Sequence, residues 1–329
     1  LLLCIAALLS ERFMIAATLF TLLVHAKHLY APLAPVLFVF TLCKIWKRKK
    51  HRILLVCGLV LLVVFLLALI WTPLILSALI SNKSISQLLN EIFTRLFPVQ
   101  RGLLHAYWPA NFWSLYAIVD IFLHRTMVGQ VASPLTKGLV GQVDVFSVLP
   151  NISPMFSFGM VVLSTLPVLY RLAQLMLTPT TNQKRDEQRE KMIFLKAIVL
   201  VALNTFMFGY HVHEKALLTA SIPLLFLLAF ESESFLWRPI FTVSVLIASV
   251  SVFPLLHHVG ETLLRYTTLL LNIVGFYMIK HTDTENKVMG WIYWLYGIGL
   301  IPILACYELY NVESLPFLRL LLISVYLAI

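Results

Sequence analysis

Long apolar runs alternate with short polar breaks along almost the whole chain. The runs cover residues 13–26, 29–43, 53–80, 155–177, 193–210, 216–230, 236–256, 262–279, 288–306 and 315–329. A helix that crosses the hydrocarbon core of a bilayer needs about 20 apolar residues. The pattern therefore predicts an all-α polytopic protein with about ten to eleven spans, the shorter runs extending by a turn into their polar flanks. Residues 1–9 form a further apolar run without the charged start of a signal peptide. They are read as the tail of a membrane helix that begins upstream, which makes the sequence a fragment. Residues 111–123 are apolar and aromatic but too short to cross, and predict an interfacial or re-entrant helix. Neither an internal repeat nor a soluble domain interrupts the pattern, so 1–329 is read as a single transmembrane domain.

Composition agrees with lipid as the solvent. The chain is 60% hydrophobic and 12% charged, with a mean hydropathy of +0.90, against about 45–50% and about 25% for ordinary soluble domains. The net charge of +10 does not point to nucleic acid, because the cations collect in short breaks between apolar runs. Residues 44–52 carry six Lys and Arg and no acid, and 184–196 carry five. Such breaks stay on the cytoplasmic side. Two runs separate them, which places a large loop, 81–154, on the opposite face. It carries two glycosylation sequons, Asn82-Lys83-Ser84 and Asn151-Ile152-Ser153. Continuing the count puts 211–215, 257–261 and 307–314 on that same face. The four cysteines form no CxxC pair and read as small buried hydrophobes.

Ionisable residues at membrane depth mark function by default, and four groups stand out. Residues 95–113 combine Arg101 and His105 with Tyr107, Trp108, Asn111 and Trp113. Arg and His hold phosphate oxygens and aromatic planes stack on sugars, but the same residues suit an interfacial belt. His211, His213, Glu214 and Lys215 lie between two apolar runs. Histidines two apart point to nearly opposite sides of a helix, and HExxH is absent, so a metal site is not expected. An anion-holding cluster and a solvated turn both remain open. Lys27 and His28 either line a polar cavity or snorkel to the interface. His257 and His258, with Glu261 and Arg265, have no spacing that selects a chemistry. A Gly-rich phosphate loop and a GxSxG elbow are both missing.

The strings RLFPVQRGLLHAYWPANFWSLY (95–116) and FGYHVHEKALL (208–218) resemble the endoplasmic-reticulum glucosyltransferases that use dolichyl phosphate glucose. Lys27-His28-Leu29-Tyr30 also fits that family. The resemblance implies the GT-C fold, an active site on the lumenal face, and transfer by one inverting displacement without a metal or other cofactor. Dolichyl phosphate glucose would be the donor and a dolichyl-pyrophosphate-linked oligosaccharide the acceptor. Within the family, HAYW (105–108) and HVHEK (211–215) resemble the enzyme that adds the second glucose. That implies an α1,3 linkage to an acceptor carrying one glucose on nine mannoses; the sister enzyme adding the first glucose is the alternative. The resemblance implies His213, Lys215, Arg101 and His105 at the donor phosphate and glucose. Tyr107, Trp108, Asn111, Trp113, His211, Glu214, Lys27 and His28 would support the pocket, with Trp108 and Trp113 stacking on sugar. The general-base aspartate is expected upstream of Leu1, neither Asp120 nor Asp144 having the expected context, so the fragment alone is expected to be inactive. A secondary transporter is the competing reading from another class. It would favour polar residues in mid-span and broken helices in repeated halves, a symmetry this chain lacks.

Overall fold

The structure, a computed structural model, describes residues 1–48, 50–97, 102–104, 109–128, 146–178, 183–230, 237–253, 256, 259–278, 287–309 and 318–328. Among these the chain is helical, without a strand. The helices are α1 (Leu2–Leu9), α2 (Phe13–Ala26), α3 (Ala34–Lys47), α4 (Arg52–Ile80), α5 (Ile85–Leu96), α6 (Phe112–Val128) and α7 (Pro154–Leu177). They continue with α8 (Gln183–Phe208), α9 (Leu218–Phe230), α10 (Trp237–Val250), α11 (Thr262–Met278), α12 (Lys287–Leu309) and α13 (Leu318–Ala328). Among the described residues, four helical stretches are long and apolar enough to cross a membrane: His28–Lys47, Arg52–Ile80, Pro154–Leu177 and Asp186–Phe208. Shorter apolar helices accompany them, including Phe13–Ala26 and Leu295–Leu309.

Local sequence explains where the elements depart from the apolar runs. The run at 29–43 opens as a 3-10 turn, His28–Leu33, that contains Pro32. The α-helix begins only at Ala34, with Pro35 in its first turn, where a missing N–H costs nothing. α8 begins well ahead of the run at 193. Its charged first turns are joined by Lys191–Glu187 at 2.7 Å and Arg189–Asp186 at 3.9 Å, pairs spaced to support a helix. α5 does not follow from run length at all, because its apolar residues form a stripe.

The chain divides into two compact units, 1–98 with 164–201 and 99–163 with 202–329. In the first, α1 ends on Glu11 in the left-handed region, φ 55°. Glu11 N–H donates to Leu8 O and Arg12 N–H to Ala7 O, a Schellman closure that satisfies two terminal carbonyls. The turn presents the Glu11 carboxylate to Lys44 at 3.0 Å and to Arg48 at 2.7 Å. Lys44 also reaches Glu190 of α8 at 2.8 Å, and Lys47 pairs with the same carboxylate. Glu190 is only 8% exposed. Two acids thus tie the ends of α1, α3 and α8 together, and the basic breaks at 44–52 and 184–196 meet at one end of this unit. Phe40 stacks on Phe194 just inside the clamp, ring centroids 4.0 Å apart.

In the second unit, Leu103, Leu104, Trp113, Ala117 and Phe146 form one buried cluster. The cluster is closed by Asp120 of α6, which is fully buried. Asp120 Oδ2 accepts from Ser147 N–H at 2.9 Å, and Oδ1 accepts from Val148 and Leu149 N–H at 2.9 and 2.7 Å. Asn151 Oδ1 accepts from Phe146 N–H, and Ser153 Oγ from Phe156 N–H in the first turn of α7. Both polar residues of the second sequon are therefore occupied in fixing the chain's entry to α7.

Two predictions follow from these clamps. Burial alone would raise the Glu11 carboxyl, but hydrogen bonds from Arg48 and Lys44 outweigh it and hold its pKa below the ordinary glutamate value. A depressed carboxylate stabilises the fold above the unfolded-state pKa, and the contribution is lost as pH falls through the folded one. Glu11→Gln is therefore expected to cost about 0.5–1 kcal/mol at neutral pH, with the difference from wild type closing in acid; thermal unfolding across pH in detergent measures it. Asp120→Ala strips three N–H groups of their acceptor and is expected to cost about 2–3 kcal/mol. An unchanged unfolding midpoint would overturn that structural role.

Candidate functional site

The site grows from the C-terminal end of α8. The last carbonyls of a helix have no partner within it, and in an apolar surrounding each must find a donor elsewhere. Gly209 N–H closes the helix on Thr205 O at 2.9 Å. A Cβ at Gly209 would lie 2.5 Å from that same carbonyl oxygen, so the close turn requires glycine. Asn111 Nδ2 donates to Phe206 O at 3.4 Å. The Trp113 indole N–H is shared between Phe208 O at 3.1 Å and Gly209 O at 3.0 Å. Ser157 Oγ of α7 donates to Phe208 O at 2.5 Å. Asn111 also accepts from Trp113 N–H at 3.2 Å, which caps α6 and aims the indole.

His211 makes the second connection. It sits in the left-handed region, φ 52°, and its N–H donates to Leu103 O at 2.9 Å. Its ring Nδ1 lies 3.0 Å from Gly102 O, and Gly102 itself has φ 88°. The two sequence strings at 95–116 and 208–218 are thus joined by hydrogen bonds on both sides of residues 105–108. The chain then turns through a short 3-10 segment, Glu214–Leu217, into α9. Glu214 points inward, 4% exposed, while His213 and Lys215 on either side of it are exposed. The His211 and His213 rings meet edge to face, centroids 5.7 Å apart. Because this segment is a turn, the helical geometry that would send the two rings to opposite sides does not apply. Among the described residues no group of three His, Cys, Asp or Glu gathers as a metal site.

These contacts sort the predicted residues. Asn111, Trp113, His211, His213, Glu214 and Lys215 belong to one assembly in the second unit. Trp113 is 1% exposed and both faces of its ring are enclosed, so it anchors the α8 end from behind instead of stacking on a sugar. Lys27 and His28 lie in the first unit on an exposed turn, where the His28 ring meets Phe97 with centroids 5.5 Å apart. Arg101, His105, Tyr107, Trp108, Asp144, His257 and His258 lie outside the described residues. Arg265 is buried and pairs with Glu308 at 2.6 Å while donating to Thr262 Oγ1. Sequence reasoning missed Gly209 and Ser157. The signal for Gly209 was its place at the junction of an apolar run and a polar turn.

Comparison with known proteins bears on this arrangement. Over 336 residues the chain is 32% identical to the probable dolichyl pyrophosphate Glc1Man9GlcNAc2 alpha-1,3-glucosyltransferase of Drosophila melanogaster, covering 100% of this chain and 61% of that protein. It is 33% identical to the Mus musculus dolichyl pyrophosphate Glc1Man9GlcNAc2 alpha-1,3-glucosyltransferase, covering 100% of this chain and 62% of that protein. The Arabidopsis thaliana protein of the same name is 31% identical, over 99% of this chain and 64% of its own length. The chain thus spans somewhat over three fifths of the curated relatives it matches. The ALG6, ALG8 glycosyltransferase family matches residues 1–329 from end to end, and the chain belongs to that family.

Proposed function

We propose that this sequence forms part of an endoplasmic-reticulum membrane enzyme of the GT-C fold that adds the second glucose to a lipid-linked oligosaccharide. The donor is dolichyl phosphate glucose, and the acceptor is the dolichyl-pyrophosphate-linked glycan that carries one glucose on nine mannoses. Specificity for the second glucose rests on the names of the relatives. The placement of the chemistry rests on one structural observation: residues 102–113 hold the 208–215 turn by hydrogen bonds, and that turn exposes His213 and Lys215 at the end of apolar helices. In this reading the shorter apolar helices extend to complete a bundle of ten to eleven spans, with the α8–α9 turn on the lumenal side.

The reaction is a single displacement. An acceptor hydroxyl oxygen bonds to the anomeric carbon of glucose as the bond from that carbon to the phosphate oxygen breaks, with inversion. The proton goes to a carboxylate base, and dolichyl phosphate leaves with the electron pair. Cations held beside the departing phosphate stabilise the charge that develops there, the role assigned to His213 and Lys215. Asp120 is spent on three backbone N–H groups, so the base is a carboxylate other than Asp120.

The assay uses microsomes containing the whole enzyme, given dolichyl phosphate glucose and acceptors bearing zero or one glucose. Extension of the monoglucosylated acceptor alone is expected. Extension of the unglucosylated acceptor identifies the sister activity, and transfer to neither refutes the reading. His213→Ala and Lys215→Ala are each expected to lower transfer by about tenfold or more while leaving the unfolding midpoint unchanged, because both side chains are exposed. Full activity in His213→Ala would remove that residue from the donor site.

A further inference from the structure

α4 is the most apolar of the four candidate spans, and no residue of its most apolar stretch is fully buried in the protein. Its last two residues, Leu79 and Ile80, are 54% and 83% exposed. In a membrane protein such a surface faces lipid. The helix then stops abruptly. Asn82 takes the left-handed conformation, φ 53°, with Asn82 N–H donating to Leu79 O and Lys83 N–H to Ala78 O. That is a Schellman closure with Asn in the position it tolerates best after glycine. Ser84 begins α5 two residues later with a complete capping box: its Oγ accepts from Gln87 N–H and its N–H donates to the Gln87 side chain. Two caps placed back to back leave almost no free chain between the span and α5. The polar residues of the first sequon are both used in them.

α5 has no buried residue. Ile85, Leu89, Phe93 and Leu96 fall on one side at helical spacing and are all exposed. Gln87, Asn90, Glu91 and Thr94 occupy the other side, where Lys83 pairs with Glu91 at 2.8 Å. A stripe of this size would be costly in water. It is also continuous through Leu79 and Ile80 with the lipid-facing surface of α4. We propose that α5 lies in the plane of the membrane interface, at the end of α4 remote from the basic 44–52 turn. There it sinks Ile85, Leu89, Phe93 and Leu96 into the acyl boundary and keeps the Asn90–Glu91 side in water. The partner of this surface is the bilayer itself. The helix carries that anchorage to the Lys27–His28 turn: Phe93 stacks on Phe97, and Phe97 meets the His28 ring.

The test is site-directed spin labelling of the full-length protein in phosphatidylcholine vesicles, with native cysteines replaced and single nitroxides introduced by Ile85→Cys, Phe93→Cys and Asn90→Cys. Labels at 85 and 93 are expected to respond strongly to dissolved oxygen and to lose their response to a water-soluble nickel chelate, with the label at 90 showing the reverse. A strong nickel response at 85 or 93 would place the stripe in water and overturn the proposal. Weak response to both relaxers would mean that protein covers it, which overturns the proposal equally. Two positions on the stripe keep the test decisive if one variant does not fold, and neither reading depends on glucosyl transfer.

Discussion

The end of a membrane helix is the constraint on which the candidate site depends. Inside α8 each carbonyl is satisfied by the next turn, but at Phe206, Phe208 and Gly209 that supply ends while the surroundings are still apolar. An unsatisfied carbonyl there costs several kcal/mol, about what it costs in hydrocarbon. The molecule answers with three side chains from two places: Asn111, Trp113 and Ser157. Those donors belong to the start of α6 and the start of α7, so satisfying one helix end fixes the entry of two other helices. The 208–215 turn inherits its rigidity from this arrangement. His211 extends the same logic by holding the carbonyl of Leu103 with its own N–H. Trp113, which reads as a sugar-facing aromatic in the sequence, therefore does structural work at the end of α8.

How much of this could be read from the sequence depends on the length scale of each signal. The bounds of α2 and α4 follow from the apolar runs to within a residue, and for α4 the run is long enough to have no alternative in lipid. α8 could not be bounded that way, since its first turns are polar and are held by Lys191–Glu187 and Arg189–Asp186. α5 left no run to find; its sequence signature was the Ser84–Gln87 capping box followed by an apolar stripe. In the site, the two strings were visible as strings, and their meeting was implied by resemblance alone. The edge-to-face approach of His211 and His213 was not visible, because spacing predicts ring direction only once the backbone conformation is known. A histidine at φ 52° gives no advance notice of itself in composition or period.

Charge counting has a similar limit. Six Lys and Arg with no acid in 44–52 read as an unopposed positive patch, yet Lys44, Lys47 and Arg48 are all paired with carboxylates from outside that segment. Glu11 and Glu190 lie far from it in sequence and were invisible to a local count. The orienting rule concerns cations during insertion and is indifferent to such later pairing. In the folded protein the same cations serve as cross-links between α1, α3 and α8. The residues from which the orientation was predicted thus also serve in packing.

If His213 and Lys215 hold an anion as proposed, a short turn suits them better than a helix face would. An α-helix would have spread His213 and Lys215 about 200° apart around its axis. In the turn, with Glu214 drawn inward and the backbone pinned at Gly209 and His211, both side chains of the pair stay on the accessible side. In the proposed reading, a cation held in such a turn at the end of apolar helices would act on a nearby phosphate more strongly than one in bulk water. Little reorganisation is needed when charge develops, because the carbonyls and indole behind the turn have already fixed its backbone. Any preorganisation in the proposed site is then a by-product of helix termination: the bonds that make the end of α8 tolerable in lipid also hold the turn that carries His213 and Lys215.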